Sequence, residues 1–310
     1  MPSLTEARSA VPWETVVHRV HAEIAGSVPA LGTTARSLPR KAFGLESGFF
    51  YLPLAQAMDW GERDEGWLLD VATVFGLGHL YYVLHDQLVD RGGLPPRHAV
   101  LMDTALGLYL DRGARLGTGS GHFLAAHTAC AATYADALLR DITHSERPGE
   151  DYTADDVFRL GDKAAPGILA LLVVALRCHR PAHLDDLSRS VTELCSGLQL
   201  LDDLQDLRED WDQHNVTFPV SLAFRAMRRS DPETPLFTSH SADDALDALY
   251  LSGGAAAVLR LALRCLERAR VPASRTGADV VLGMVDAWTK QATAQLERAE
   301  GRTRTRADLG

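Results

Sequence analysis

The stretch Gln199-Leu200-Leu201-Asp202-Asp203-Leu204-Gln205-Asp206-Leu207-Arg208-Glu209-Asp210 decides how this chain is read. Its apolar residues recur every three or four positions, the spacing of one helix face rather than the alternation of a strand. At roughly 100° per residue, Asp202, Asp203, Asp206, Glu209 and Asp210 fall in a wedge of roughly 120°, opposite Leu200, Leu204 and Leu207. A shorter acidic cluster, His85-Asp86-Gln87-Leu88-Val89-Asp90, sets Asp86 and Asp90 one above the other on its own helix. Like carboxylates about 4 Å apart repel by roughly 4 kcal/mol at an effective dielectric near 20. Crowding so many into a cleft requires cations among them. Hard, oxygen-seeking Mg²⁺, which usually shares its shell with substrate phosphates, suits them best. The spacing points to diphosphate chemistry.

The same helical spacing runs outward through the whole sequence, with Ala and Leu plentiful and strand alternation nearly absent. It predicts helices over about 12–25, 45–59, 65–90, 98–114, 121–145, 154–179, 183–210, 217–229, 242–250, 254–270 and 276–300. Pro and Gly punctuate them at Gly92-Gly93 with Pro95-Pro96, Gly117 to Gly121, Pro148-Gly149, Pro232 to Pro235 and Pro272. The expectation is one all-α domain over residues 1–310, with loose ends at 1–11 and 301–310. Trp67 to Leu84 is apolar nearly all round, so its helix should be buried on most sides. Asp86 and Asp90 would then stand at the mouth of a central apolar cavity. Pro166-Gly167, after Lys163, should kink the helix expected over 154–179.

The 310 residues, 46% of them hydrophobic, suffice for one large globular domain. A net charge of −10 argues against nucleic acid or an anionic membrane as partner. Cys130, Cys178, Cys195 and Cys265 are widely spaced, which implies neither a zinc site nor a disulfide framework. Met1 to Ala10 shows no secretory signal, and the longest apolar run, Gly167 to Leu176, is too short to span a bilayer. The expected compartment is the cytoplasm.

A single acidic face opposite leucines is most often a solvated surface. Two observations weigh against that reading: the other acidic cluster, Asp86 and Asp90, ends a buried helix, and Lys163 lies on another. Carboxylates for the ions and an ammonium for phosphate oxygens together suit a metal–diphosphate. At this point a family resemblance emerges. Gln199 to Asp206 resembles the second aspartate-rich motif of the polyprenyl (isoprenyl diphosphate) synthases, with a Gln three residues before Asp-Asp-x-x-Asp. His85 to Asp90 resembles the first motif, His-Asp-Asp-x-x-Asp. Thr217-Phe218-Pro219 resembles the Thr-Leu-Pro that follows, and Lys163 stands where the family has a diphosphate-binding lysine.

The resemblance implies the all-α isoprenoid-synthase fold, three Mg²⁺ ions, an allylic prenyl diphosphate as substrate and a homodimer. Asp86, Asp90, Asp202 and Asp206 are implied metal ligands. Asp203 is implied as a ligand or as a partner behind one, and Gln199 and Lys163 as diphosphate contacts. Phe75, His79 and Tyr82 share the Asp86 face of their helix and would wall the prenyl pocket. The resemblance also implies that Tyr81 and Tyr82, five and four positions before Asp86, limit product length; plain core packing is the competing role for both.

Two departures shape the functional expectation. Gln87 replaces the second Asp of the first motif. Pro95-Pro96 stands where chain-elongating members carry paired arginines, and upstream only Arg36, Arg40 and Lys41 approach the family's other basic motif. Each charged hydrogen bond so lost to a second diphosphate costs roughly 1.5–3 kcal/mol. The expectation is therefore a terpene synthase that ionises one C10–C20 allylic diphosphate, with a prenyltransferase as the alternative. A catalytically silent regulatory subunit and a helical scaffold with acidic surfaces are the more distant rivals.

Overall fold

The computed structural model describes residues 7, 10–39, 51–116, 120–147, 152–228 and 236–307. Every regular element among them is helical, as the spacing predicts. The α-helices are α1 (Trp13–Ser27), α2 (Gly32–Ser37), α3 (Leu52–Asp59), α4 (Glu65–Arg91), α5 (Pro96–Arg115), α6 (Ser120–Glu146), α7 (Ala154–Phe158) and α8 (Ala165–Arg177). They continue with α9 (Leu184–Gln205), α10 (Leu207–Asp212), α11 (Phe218–Arg228), α12 (Leu236–Ser239), α13 (Ala242–Leu251), α14 (Gly254–Thr276) and α15 (Asp279–Ala307). The part of the expected helix 45–59 before residue 51 lies outside the described residues, as do Arg40 and Lys41. By its contacts the chain divides into two compact units. The first is Met1–Cys130 with Pro166–Asp185 and Ala278–Val280; the second is Ala131–Ala165 with Asp186–Gly277 and Val281–Gly310.

The core of the first unit forms around α4. Asp64 caps the helix by accepting from the Trp67 amide at 3.1 Å. Leu68, Val71, Val74, Leu77, Leu80 and Leu84 are all buried, so the apolar run is enclosed on several sides as its composition demands. Val16, Val20 and Ile24 of α1 share this core, and Ala7 and Val11, expected at a loose end, are buried in it too. Tyr109 of α5 lies so close to Gly78 that a Cβ there would stand 2.9 Å from its ring. Gly92, at φ 63°, ends α4 in the left-handed region. Pro95 then caps α5 and Pro96 fills its first turn, where a missing N–H removes no hydrogen bond. By length and composition α4 could cross a membrane, which the sequence reading did not anticipate, but 56% of that window is buried.

In the second unit, Ser190 Oγ donates to Ala269 O at 2.7 Å and ties α9 to α14. Trp211, Phe224 and Phe237 meet edge-on with ring centroids 4.8–5.2 Å apart. Trp211 Nε1 also donates to His240 O, so this aromatic trio anchors α10 just beyond the acidic segment. Four boundaries differ from expectation, and one is that of α15, which stays helical to Ala307 where a loose end was expected from residue 301. The helix expected over 154–179 breaks before Pro166 rather than at it: Leu160–Ala164 forms a 3-10 turn containing Lys163. The cause is Gly161, whose N–H donates to Ser196 Oγ at 2.9 Å and where a Cβ would meet Thr192 O at 2.0 Å. The helix expected over 183–210 breaks at Asp206 into α9 and α10. Pro272 does not end α14, because Ala269, Pro272, Ala273 and Thr276 continue its buried face to the αL residue Gly277.

Candidate functional site

Five of the sequence-derived site residues fall in the second unit, and the fold separates their surroundings. On α9, Asp202 is exposed while its neighbour Asp203 is buried. Partial desolvation, and then the charge of Asp206, push the Asp202 carboxyl above its ordinary value. Asp206 is exposed at the break between α9 and α10, one turn on. Asp203 faces inward and receives a 2.6 Å hydrogen bond from Gln199 Nε2. Burial pushes its carboxyl up to about 8, against the opposing effects of that hydrogen bond and of the Lys163 charge. The single acidic wedge inferred from helix angles thus resolves into an exposed pair, Asp202 and Asp206, and an inward acid, Asp203.

Around Asp203 lies a polar cluster. Lys163 forms an ion pair with Asp141 of α6. Tyr152 donates from its hydroxyl to Val216 O at 2.8 Å and stacks on His144 with ring centroids 3.7 Å apart. Burial, reinforced by the charges of Asp141, Asp203, Asp156 and Asp210, pushes the Tyr152 phenol up, so it remains a neutral donor. Asp210 accepts from Asn215 Nδ2 at 3.0 Å and Thr217 Oγ1 at 3.1 Å, and burial pushes its carboxyl up to about 6. The Thr-x-Pro segment therefore closes back on the acidic helix. Asp141, Tyr152 and Asn215 were not singled out from sequence. Asn215 stands two residues before Thr217 and was within reach of motif reading; Asp141 and Tyr152 join the cluster only through tertiary packing.

The other predicted residues lie in the first unit, on α4. Asp86 is exposed near the end of the helix, and the side chain of Asp90 lies outside the described residues. Tyr81 and Tyr82 are half-buried and meet edge-on at 4.9 Å, and Tyr81 lies 5.7 Å from His85. Phe75 meets Tyr109 at 5.8 Å, and Tyr109 meets Phe123 at 5.7 Å. Burial pushes His79 down to about 4, so this imidazole is neutral near pH 7. The α4 face below Asp86 thus presents aromatic rings and an uncharged histidine.

The donor chemistry suits a hard divalent cation. Asp202 and Asp206 offer two exposed carboxylates, and Mg²⁺ is usually held by one or two carboxylates while phosphate and water complete its octahedron. Among the described residues no group of three or more His, Cys, Asp or Glu converges into a closed metal site. An ion shared with a diphosphate needs no such closed set.

No protein-family model and no curated protein matches this sequence. Solved structures do match. Geranylgeranyl pyrophosphate synthase from Corynebacterium glutamicum superposes with a TM-score of 0.73 at 19% identity, over 93% of this chain and 92% of that one. The archaeal geranylgeranyl pyrophosphate synthetase of Geoglobus acetivorans gives 0.69 at 14% identity, over 92% and 98%. A polyprenyl synthase from Caulobacter crescentus, complexed with calcium and isoprenyl diphosphate, gives 0.69 at 16% identity, over 93% and 99%. The chain has the all-α fold of the polyprenyl synthases. Its four cysteines are free thiols.

Proposed function

We propose that this protein binds an allylic prenyl diphosphate and cleaves its C–O bond, transferring the prenyl group as a prenyltransferase. The observation that carries the reading is the exposed Asp202–Asp206 pair beside the hydrogen bond from Gln199 to buried Asp203 and the half-buried Lys163–Asp141 ion pair, in a chain with this fold. Asp202 and Asp206 would hold Mg²⁺, and Asp86 and Asp90 are each proposed as Mg²⁺ ligands too; when bound, the ion neutralises charge developing on the leaving diphosphate. Lys163 donates to diphosphate oxygens, and its fixed positive charge is worth more in a water-poor site than in bulk. Gln199 locks Asp203 behind this surface. Phe75, His79, Tyr81 and Tyr82 contact the prenyl chain: π faces favour a carbocation, and a neutral His79 does not repel one. Three ions, a homodimer and a cytoplasmic location belong to the same proposal.

Transfer to isopentenyl diphosphate, giving a longer prenyl diphosphate, is the reading supported by the solved structures, which are named as pyrophosphate and polyprenyl synthases. A second reading, cyclisation or quenching of the cation by a terpene synthase, rests on one local feature. Pro95 and Pro96 begin α5 without the paired guanidiniums a second diphosphate would use. Purified protein offered farnesyl or geranylgeranyl diphosphate with Mg²⁺, with and without isopentenyl diphosphate, distinguishes the two. A longer diphosphate formed only when isopentenyl diphosphate is present is the expected product. Hydrocarbon or alcohol from the allylic substrate alone replaces transfer by the terpene synthase. No diphosphate release from any allylic substrate contradicts both and favours a silent subunit.

A further inference from the structure

The polar cleft of the second unit is lined by Arg140, Asp141, His144, Tyr152, Asp156 and Lys163. Its cations are divided among acids in a defined way. Arg140 pairs with Asp136 and lies 3.9 Å from Asp162; Arg159 reaches Asp136 at 3.1 Å and Asp162 at 2.9 Å. The ammonium of Lys163 goes instead to Asp141, a residue of a different helix.

We propose that Asp141 is a positioning residue that aims the Lys163 ammonium at the diphosphate, an inference that rests on the proposed function above. The backbone under Lys163 is already fixed. Gly161 N–H is held by Ser196 Oγ, Ser196 Oγ donates in turn to Phe158 O at 3.0 Å, and Gly161 has no room for a side chain against Thr192 O. Ser196 lies one turn before Gln199 on α9, so the turn carrying Lys163 is seated directly beside the Gln199–Asp203 pair. A fixed backbone still leaves a lysine four rotatable side-chain torsions and a mobile point charge. Asp141 removes that freedom. An ammonium has three donors, so Lys163 can keep one on Asp141 while the other two reach substrate oxygens. Because Asp141 also offsets the lysine charge, removing it leaves the site more attractive to an anion but less ordered. That combination separates a positioning role from a merely structural one.

The test compares Asp141→Asn, Asp141→Glu, Lys163→Ala and the double variant Asp141→Asn/Lys163→Ala, all in the full chain. Asp141→Asn should lower kcat for diphosphate release about tenfold while KM falls or changes less than threefold, and Asp141→Glu should recover part of the loss. In the Lys163→Ala background, Asp141→Asn should have no further effect. A substrate-free measurement accompanies this. The chain has three lysines, Lys41, Lys163 and Lys290, so ¹³Cε-lysine NMR gives one signal for each. Asp141→Asn should move only the Lys163 signal, with the Tm recorded alongside. Additive losses in the double variant, an unchanged kcat, or an unmoved Lys163 signal would overturn the positioning role. If Lys163→Ala itself releases diphosphate at the wild-type rate, the proposed function loses its diphosphate-binding lysine. In that case the NMR still reports on the Asp141–Lys163 pair.

Discussion

Replacing Asp202 by alanine should lower Mg²⁺-dependent diphosphate release by about 10²–10³-fold while leaving Tm unchanged or raised, a magnitude typical of losing one preorganised electrostatic group at a transition state. The two halves of this expectation have one origin. Asp202 and Asp206 are like charges on the same exposed face, and the Asp202 carboxyl is already pushed up by partial desolvation and by Asp206. Without a cation the pair is a cost to the fold, so deleting one member relieves repulsion. On the proposed function a cation and a diphosphate make the pair the anchor, so the same deletion removes transition-state stabilisation. Steady-state release of pyrophosphate, with Asp212→Ala as an exposed acidic control on α10, measures the first half; a thermal melt in chelator measures the second. Release within threefold of wild type, or a large drop in Tm, would show that Asp202 is a surface or structural acid.

Asp203 should make the metal-free protein less stable as pH rises from about 4 to 8. Its carboxyl is pushed from 3.8 up to about 8 in the folded chain, chiefly by burial. Between those values the folded state keeps a proton that the unfolded state has released. Unfolding then sheds protons, and stability falls with increasing pH by at most about 1.4 kcal/mol per unit. Asp210, pushed up to about 6, adds to the same slope in the lower part of the window. Asp203→Asn removes the larger share, because an amide fills the same space beside Gln199 without a charge to desolvate. Melting curves of both proteins in chelator from pH 4.5 to 8.5 give the comparison: a steep decline for wild type and a shallower one for the variant. Parallel curves would mean that Asp203 ionises as an ordinary carboxylate and that its inward position is not desolvated.

The contrast between Asp202 and Asp203 also marks the limit of reading this chain from its sequence. Periodicity identified α4 and α9, because an all-round apolar run and a three-to-four spacing are local properties that packing merely confirmed. The acidic motif was legible as a set of residues. Its division into an exposed pair and a buried acid was not, since helix angles count directions but not neighbours: Asp203 is inward, within electrostatic reach of Lys163, Tyr152 and Asp141. Gly161 shows the same limit in the backbone. Pro166 suggested a kink at its own position, whereas the actual break precedes it, where contact with Ser196 and Thr192 of α9 excludes any side chain. Pro272 was overestimated for the opposite reason: a continuous buried face carries α14 through a residue that breaks isolated helices. Asp141 had no sequence signal, because its role exists only through the lysine it meets.

The central claim is that Asp202 and Asp206 hold a diphosphate through magnesium. A crystal structure of the full chain with Mg²⁺ and inorganic pyrophosphate addresses it most directly. The account predicts a pyrophosphate whose metal ions are ligated by Asp202 and Asp206, with Lys163 on a phosphate oxygen. Pyrophosphate bound away from Asp202 and Asp206, or metal ions that touch neither carboxylate, would contradict it.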